Sequence, residues 1–92
     1  MKTSRIIVTG RVQGVGFRYF TERIAKRMNV AGTVENKNDG SVEIIAQTDD
    51  ETLRAFVEEV KEMPENPSAQ VNDIQIVETF ESEEMVKFRT VY

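Results

Sequence analysis

The chain has 92 residues and a net charge of −4, with 39% apolar and 30% charged residues, which predicts one globular domain over residues 1–92. Cysteine and histidine are both absent, which excludes disulfides, thiolate zinc sites, cysteine nucleophiles and histidine bases. Any catalysis must therefore use carboxylates, amides, hydroxyls, arginine, lysine or the backbone.

The first predicted element is a strand over Arg5–Val12, in which apolar and polar residues alternate. Its end overlaps the segment Gly10–Arg18. Gly14 and Gly16 free the backbone where the strand must turn into a helix, and backbone N–H groups at a helix start form an anion site. Arg18 adds a planar, always-charged guanidinium. The segment predicts a site for a phosphate-like anion, and a solvated surface arginine is the alternative.

Two nucleotide-binding motifs do not fit this segment. Position 19 is Tyr19 where a dinucleotide fingerprint needs a third glycine, and no Lys-Ser/Thr pair follows, as a nucleotide phosphate loop requires.

The next elements are a helix and a hairpin. Apolar residues recur at helical spacing from Phe17 to Met28 and predict an amphipathic helix. Val30–Asn36 alternates as a strand, Asn38–Gly40 predicts a tight turn, and Val42–Gln47 predicts the returning strand.

A second helix and further strands complete the pattern. Thr48–Glu51 matches a capping box with Thr48 as the N-cap, and it opens a helix with apolar residues from Leu53 to Met63. A loop bounded by Pro64 and Pro67 follows it.

The last part of the chain predicts a strand over Val71–Phe80, with Ile74 and Ile76 facing inward, and an acidic turn over Glu81–Glu84. Met85–Tyr92 predicts a short additional strand. The order β-α-β-β-α-β predicts an α+β, ferredoxin-like split βαβ sandwich, in which two helices cover one face of an antiparallel sheet, with a short fifth strand.

Asn36 is the second candidate site residue. In a split βαβ fold the first and third strands lie side by side and the second flanks the third, so the end of the second strand faces the turn after the first. We therefore expect Asn36 to reach an anion held by the glycine segment. Its amide both donates and accepts, which suffices to orient a water. A residue that only forms the turn is the alternative.

Other clusters predict structure rather than chemistry. The acidic groups at Asp49–Glu51, Glu58–Glu59 and Glu81–Glu84 suit a helix start, a solvated helix face and a turn, so no metal site is expected. The phenylalanines are expected in the core rather than on a base-stacking surface: Phe17, Phe20, Phe56, Phe80 and Phe88.

Two motifs resemble those of a known family. Gly10–Arg18 resembles the first signature of the acylphosphatases, and Gly32–Asn36, followed by Gly40 and Val42, resembles the second. Length, strand order and the final Tyr92 also match, so the resemblance covers the whole chain.

The second motif departs from the family pattern at three positions. The family usually has an aromatic residue where Thr33 stands and a basic residue where Glu35 stands, and it often has glycine where Thr48 stands. We expect the carboxylate of Glu35, next to Asn36, to weaken anion binding.

The resemblance implies a hydrolase that cleaves the carboxyl–phosphate bond of acylphosphates without metal or cofactor. It implies that Asn36 positions the attacking water and that inorganic phosphate is product and inhibitor. The phosphate would be held by one loop: Gln13, Gly14, Val15, Gly16, Phe17 and Arg18. The loop is also similar to that of cysteine-dependent phosphatases, whose cysteine stands six residues before the arginine. That position is Val12 here, which excludes a phosphocysteine.

Two other function classes stay open at this point. One is a regulatory module that binds an anion without turning it over. The other is an RNA-binding module, which the acidic charge and the missing aromatic motif disfavour. Because no apolar run is long enough to span a membrane, no signal-peptide pattern is present and cysteine is absent, we expect a cytoplasmic chain without a membrane partner. The acidic charge disfavours a nucleic-acid partner, and the resemblance to the acylphosphatases implies a monomer.

Overall fold

The computed structural model describes all 92 residues and contains five strands and two helices. Their bounds are β1 Lys2–Arg11, α1 Phe17–Arg27, β2 Ala31–Asn36, β3 Val42–Gln47, α2 Asp50–Glu62, β4 Gln70–Glu81 and β5 Phe88–Val91. The predicted β-α-β-β-α-β order and the short fifth strand are confirmed, although β5 begins at Phe88 rather than at Met85. Neither helix has the length and apolar character needed to cross a membrane.

The sheet order is β4-β1-β3-β2-β5. β1 pairs with β3 and β4, and β2 pairs with β3, all antiparallel, as the ferredoxin-like prediction requires. The additional strand β5 pairs parallel to β2, so the predicted antiparallel sheet carries one parallel strand at its edge and the whole sheet is mixed. The reason is topological: β4 and β5 occupy opposite edges, and a strand that returns from β4 beside β2 runs in the same direction as β2.

The core lies between one face of the sheet and the two helices. Alternation places Ile6, Val8 and Ile44 on this face, where they are fully buried. The helices cover them with aromatic and aliphatic side chains, above all Phe17 from α1 and Phe56 from α2. Burial of each such side chain stabilises the fold by about 1.5–3 kcal/mol.

Two of the five phenylalanines expected in the core are not fully buried. Phe17, Phe56 and Phe88 are buried, and Phe20 is partly buried but packs against the core. Phe80 is half-buried for another reason: it pairs with Thr3, which by alternation from the buried Ile6 lies on the face of the sheet that the helices do not cover.

Ile76 on β4 departs from the predicted burial because it lies at the edge of the sheet. It pairs with the buried Ile6, so it lies on the helical side of the sheet, yet it is 47% exposed. Ile74 is half-buried and packs against the core. Alternation in the sequence identifies the side of the sheet, but it does not show how far the helices extend over the edge.

The N-cap of α2 is Asp49 rather than Thr48. The Asp49 carboxylate accepts a hydrogen bond of 2.7 Å from the Thr52 N–H, so the helix begins one residue later than the capping-box pattern predicts. An ionised carboxylate is the stronger partner for the positive end of a helix, which explains why it displaces the hydroxyl. The same hydrogen bond lowers the pKa of the Asp49 carboxyl below its usual value.

The lowered pKa of Asp49 predicts an acid dependence of stability. The ionised cap stabilises the fold above the unfolded-state pKa of about 3.9, and this contribution is lost as the pH falls through the lower pKa of the folded state. In Asp49→Asn the cap keeps an acceptor but cannot titrate. We expect the variant to lose less stability than the wild type between about pH 6 and about pH 3, measured as the shift in urea midpoint.

Glu58→Gln is the matched control, because Glu58 is an exposed carboxylate on the same helix that forms no hydrogen bond. Glu58→Gln should lose as much stability on acidification as the wild type does. Equal acid losses for Asp49→Asn and the wild type would contradict the assignment of the cap.

Candidate active site

The loop between β1 and α1 has a backbone that only glycine adopts readily at two positions. Gly14 and Gly16 have φ values of 76° and 79°, in the left-handed region, and Gly16 is the N-cap of α1 without a side-chain cap. None of the amide N–H groups from Gln13 to Tyr19 donates a hydrogen bond within the protein. The loop therefore presents a run of free donors at the positive end of a helix, which is an arrangement that binds anions.

Two side-chain amides hold this loop on either side. The Gln13 Nε2 donates to the backbone carbonyls of Lys37 and Ser41, at 2.8 Å each. The Asn66 Nδ2 donates to the Val15 carbonyl at 3.1 Å. The Gln13 side chain thus ties the loop to the β2–β3 hairpin, and only its backbone is free to contact an anion.

Arg18 is held by β5. Its Nη1 donates to the Val91 carbonyl at 3.0 Å, and its guanidinium carbon lies 4.8 Å from the centre of the Tyr92 ring. No carboxylate forms an ion pair with Arg18. Most of its five donors and its whole charge are therefore available to a ligand.

One turn further along α1, Glu22 holds the helix and β5 together. The Thr90 hydroxyl donates to its Oε1 at 2.6 Å, and Lys26 donates to its Oε2 at 2.9 Å. The Thr90 hydrogen bond, and then Lys26, lower the pKa of the Glu22 carboxyl. This contact holds β5 against α1, and the next residue of β5, Val91, supplies the carbonyl that Arg18 binds.

Asn36 ends β2 with an unsatisfied acceptor. It pairs with Val42 on β3, on the helical side of the sheet, and its Oδ1 is buried without any donor in the protein. A buried acceptor without a partner costs about 1–3 kcal/mol, which is unusual in a folded protein. The oxygen is thus free to accept a hydrogen bond from a ligand or a water.

The turn after Asn36 is closed by hydrogen bonds around Ser41. Asp39 accepts from the Ser41 N–H at 2.9 Å and from the Ser41 hydroxyl at 2.6 Å, and these bonds lower the pKa of its carboxyl. The Lys37 N–H donates to the Ser41 carbonyl at 2.8 Å. These contacts hold the end of β2 in place.

One cleft of about 170 Å³ brings these groups together. Its lining residues come from the loop, the start of α1, the end of β2 and the end of the chain: Val12, Gly14, Gly16, Phe17, Arg18, Tyr19, Asn36 and Tyr92. Of the predicted site residues, Gln13 and Val15 do not line it. Larger clefts of about 260 and 620 Å³ lie elsewhere, but neither combines a free guanidinium with free amides.

Glu35 does not face this cleft. Successive residues of a strand point to opposite faces, so Glu35 and Thr33 lie on the uncovered face of the sheet while Asn36 lies on the helical face. The Glu35 Oε1 is 3.6 Å from the Nζ of Lys37, which partly neutralises it. The placement removes the physical reason for expecting Glu35 to weaken anion binding.

The sequence predicted Arg18, Asn36 and the glycine loop, but not the groups that hold them. Nothing local to Val91 or Asn66 indicates a contact with a loop more than 50 positions earlier. The match of Tyr92 to the family pattern does not by itself predict that its ring lies against the Arg18 guanidinium. The predicted acidic clusters stay apart, and no group of three or more Asp or Glu side chains is gathered as a metal site would require.

Known proteins resemble the chain over nearly its whole length. The family model described as Acylphosphatase matches residues 4–90. An acylphosphatase of Bacillus subtilis (strain 168) is 47% identical over 88 residues, which are 96% of this chain and 94% of the relative. An acylphosphatase of Thermotoga maritima is 51% identical over 79 residues, 86% of each chain. The crystal structure of acylphosphatase from Bacillus subtilis matches with a TM-score of 0.88 and 45% identity, covering 100% of both chains. The chain therefore belongs to the acylphosphatase family of hydrolases.

Proposed function

We propose that the chain hydrolyses the carboxyl–phosphate bond of acylphosphates by direct attack of water on the phosphoryl group. The observation that carries the proposal is the buried, unpartnered Oδ1 of Asn36 in the same cleft as Arg18 and the free loop amides. A site that only holds a fully ionised phosphoryl group has no use for an acceptor, because that group offers no hydrogen to it. A water molecule does.

The phosphoryl oxygens bind the backbone N–H groups of residues 13–18 and the guanidinium of Arg18. Phosphoryl transfer passes through a loose transition state whose charge spreads over the equatorial oxygens, so positioning and electrostatic stabilisation supply most of the catalysis. Arg18 is the only charged side chain that lines the cleft, and its contacts with Val91 and Tyr92 hold the guanidinium in place before the substrate arrives.

Asn36 holds the attacking water through its Oδ1. The water oxygen forms a bond to phosphorus as the bond from phosphorus to the acyl oxygen breaks, and the electron pair leaves with the carboxylate. A carboxylate is a stable leaving group, so no general acid is needed. The protons of the water pass to the phosphate product and to solvent.

A covalent phosphoenzyme is not part of the proposal. The position that would carry a nucleophilic cysteine is Val12, which is 1% exposed. Tyr19 and Tyr92 supply the only side-chain hydroxyls among the lining residues. We also propose that no metal or cofactor takes part, because Arg18 and the loop amides already supply the positive field that a metal would provide.

We further propose that residues 1–92 form one domain that works as a monomer. The loop amides, Arg18 and Asn36 are the groups that the proposed reaction uses, and all of them belong to one chain, so the reaction calls for no residue from a partner. The absence of cysteine suits a reducing compartment, and we propose the cytoplasm.

The direct test is the hydrolysis of benzoyl phosphate by the purified protein in the presence of a chelator. We expect turnover that is unchanged by the chelator and competitive inhibition by inorganic phosphate. A folded sample that binds phosphate but releases no benzoate would favour the regulatory anion-binding module. Loss of activity with the chelator would contradict metal independence.

Arg18→Ala should mainly raise KM. Charge-assisted hydrogen bonds contribute about 1.5–3 kcal/mol, so their loss predicts a rise of about 10- to 100-fold in KM for benzoyl phosphate. Arg23→Ala is the matched control, because Arg23 is an exposed arginine on the same helix that lies 4.0 Å from Glu65 and outside the cleft. A KM that rises equally in both variants would show that Arg18 acts only through its contribution to the positive charge of α1 and not through direct contact with the phosphate.

Asn36→Ala should mainly lower kcat. Losing the group that positions the nucleophile predicts a fall of roughly 100-fold or more in kcat with a small change in KM. Since the substitution removes an unsatisfied buried acceptor, the free energy of unfolding should stay the same or rise. Asn38→Ala, in the exposed turn two residues later, should leave kcat unchanged. A variant with wild-type kcat would refute the role of Asn36.

A further inference from the structure

Asn66 is a buried polar residue outside the cleft whose side chain reaches the anion-binding loop. It is 5% exposed and lies in the turn that follows α2, where its N–H donates to the Met63 carbonyl at 2.9 Å. Its Nδ2 donates to the Val15 carbonyl at 3.1 Å and to the Met63 sulfur at 3.4 Å. Both hydrogens of the side-chain amide are used, so its orientation is fixed.

The bond to Val15 determines where the next N–H points. The peptide between Val15 and Gly16 is planar and trans, so its C=O and N–H point in opposite directions. With the Val15 carbonyl directed at Asn66, the Gly16 N–H points away from Asn66. Gly16 lines the cleft, and its N–H has no partner in the protein.

The backbone itself does not select this orientation. Rotation of the Val15–Gly16 peptide changes the φ angle of Gly16, and glycine adopts positive and negative φ with nearly equal ease. An N–H that must face a ligand therefore needs another contact to hold it. The Asn66 side chain is the only protein group that donates to the Val15 carbonyl.

We propose that Asn66 is a positioning residue for the phosphoryl site: it binds the Val15 carbonyl and thereby directs the Gly16 N–H at the phosphoryl group. The inference rests on the proposed function, because it assigns the anion in the cleft to the substrate phosphate. It extends the site to a residue beyond α2, which contacts neither the substrate nor the attacking water.

Two substitutions at this position separate orientation from packing. Asn66→Leu keeps the branched shape of the side chain but is larger, removes the donor and leaves no room for water, whereas Asn66→Ala makes space for a water that can bind the Val15 carbonyl instead. We expect the dissociation constant for inorganic phosphate, and the KM for benzoyl phosphate, to rise about tenfold in Asn66→Leu and about threefold in Asn66→Ala.

The melting temperatures of the two Asn66 variants should rank in the opposite order to their phosphate affinities. The cavity in Asn66→Ala should make it the less stable variant, because lost packing costs stability. Met63→Leu is the control: it keeps the volume and removes the sulfur acceptor but not the bond to Val15, so phosphate affinity should not change. Phosphate affinities that follow melting temperature across the three variants, or that equal the wild-type value, would overturn the proposal.

A measurement on the wild-type protein does not depend on how the variants fold. In a titration with inorganic phosphate followed by amide NMR, the Gly16 amide proton should move downfield, as expected for a new hydrogen bond to an anion. A Gly16 amide that stays in place while Arg18 responds would overturn the role of Asn66 and leave the proposed function intact. A wild-type protein that neither binds phosphate nor hydrolyses benzoyl phosphate would overturn both.

Discussion

The whole site depends on one constraint: the chain must pass from β1 to α1 with its amide groups free of internal partners. Free amides are costly in a folded protein unless a ligand or water satisfies them. The loop meets this condition by presenting its N–H groups to a cleft while Gln13 and Asn66 bind carbonyls around it. The left-handed conformations of Gly14 and Gly16 make that path sterically possible.

The sheet order then brings the remaining groups to this loop. Because β3 lies between β1 and β2, the hairpin after β2 lies within reach of Gln13, and Asn36 lies at the same end of the sheet as the loop. The parallel pairing of β5 with β2 places Val91 beside Glu35, one residue before Asn36. The guanidinium of Arg18 and the amide of Asn36 are thus positioned by neighbouring strands.

Sequence patterns predicted the parts of the fold that depend on local spacing. The strand–turn–helix at Gly14 and Gly16, the hairpin at Asn38–Gly40 and the inward face of each helix follow from residues close together in the chain. The direction of β5 does not, because parallel pairing at a sheet edge depends on where a distant strand already lies. The exposure of Ile76 has the same origin, since it depends on how far α2 extends across the sheet.

The misplaced N-cap at Thr48 and the expectation for Glu35 have a different origin. Two adjacent residues, Thr48 and Asp49, both suit an N-cap, and only the relative strength of hydroxyl and carboxylate decides between them. Glu35 is adjacent to Asn36 in the chain, yet residues next to each other on a strand lie on opposite faces. Its proximity in sequence therefore overstated its proximity to the anion.

The contact between Arg18 and the Val91 carbonyl also links the site to a short strand at the edge of the sheet. β5 has four residues and lies at an edge, paired on one side only. Local opening of a structure begins at such elements, at a free energy well below that of global unfolding. Each time β5 frays, Arg18 loses both its carbonyl acceptor and the ring of Tyr92. The time for which the guanidinium stays in its binding orientation is thus set by the lifetime of one short strand rather than by the stability of the core.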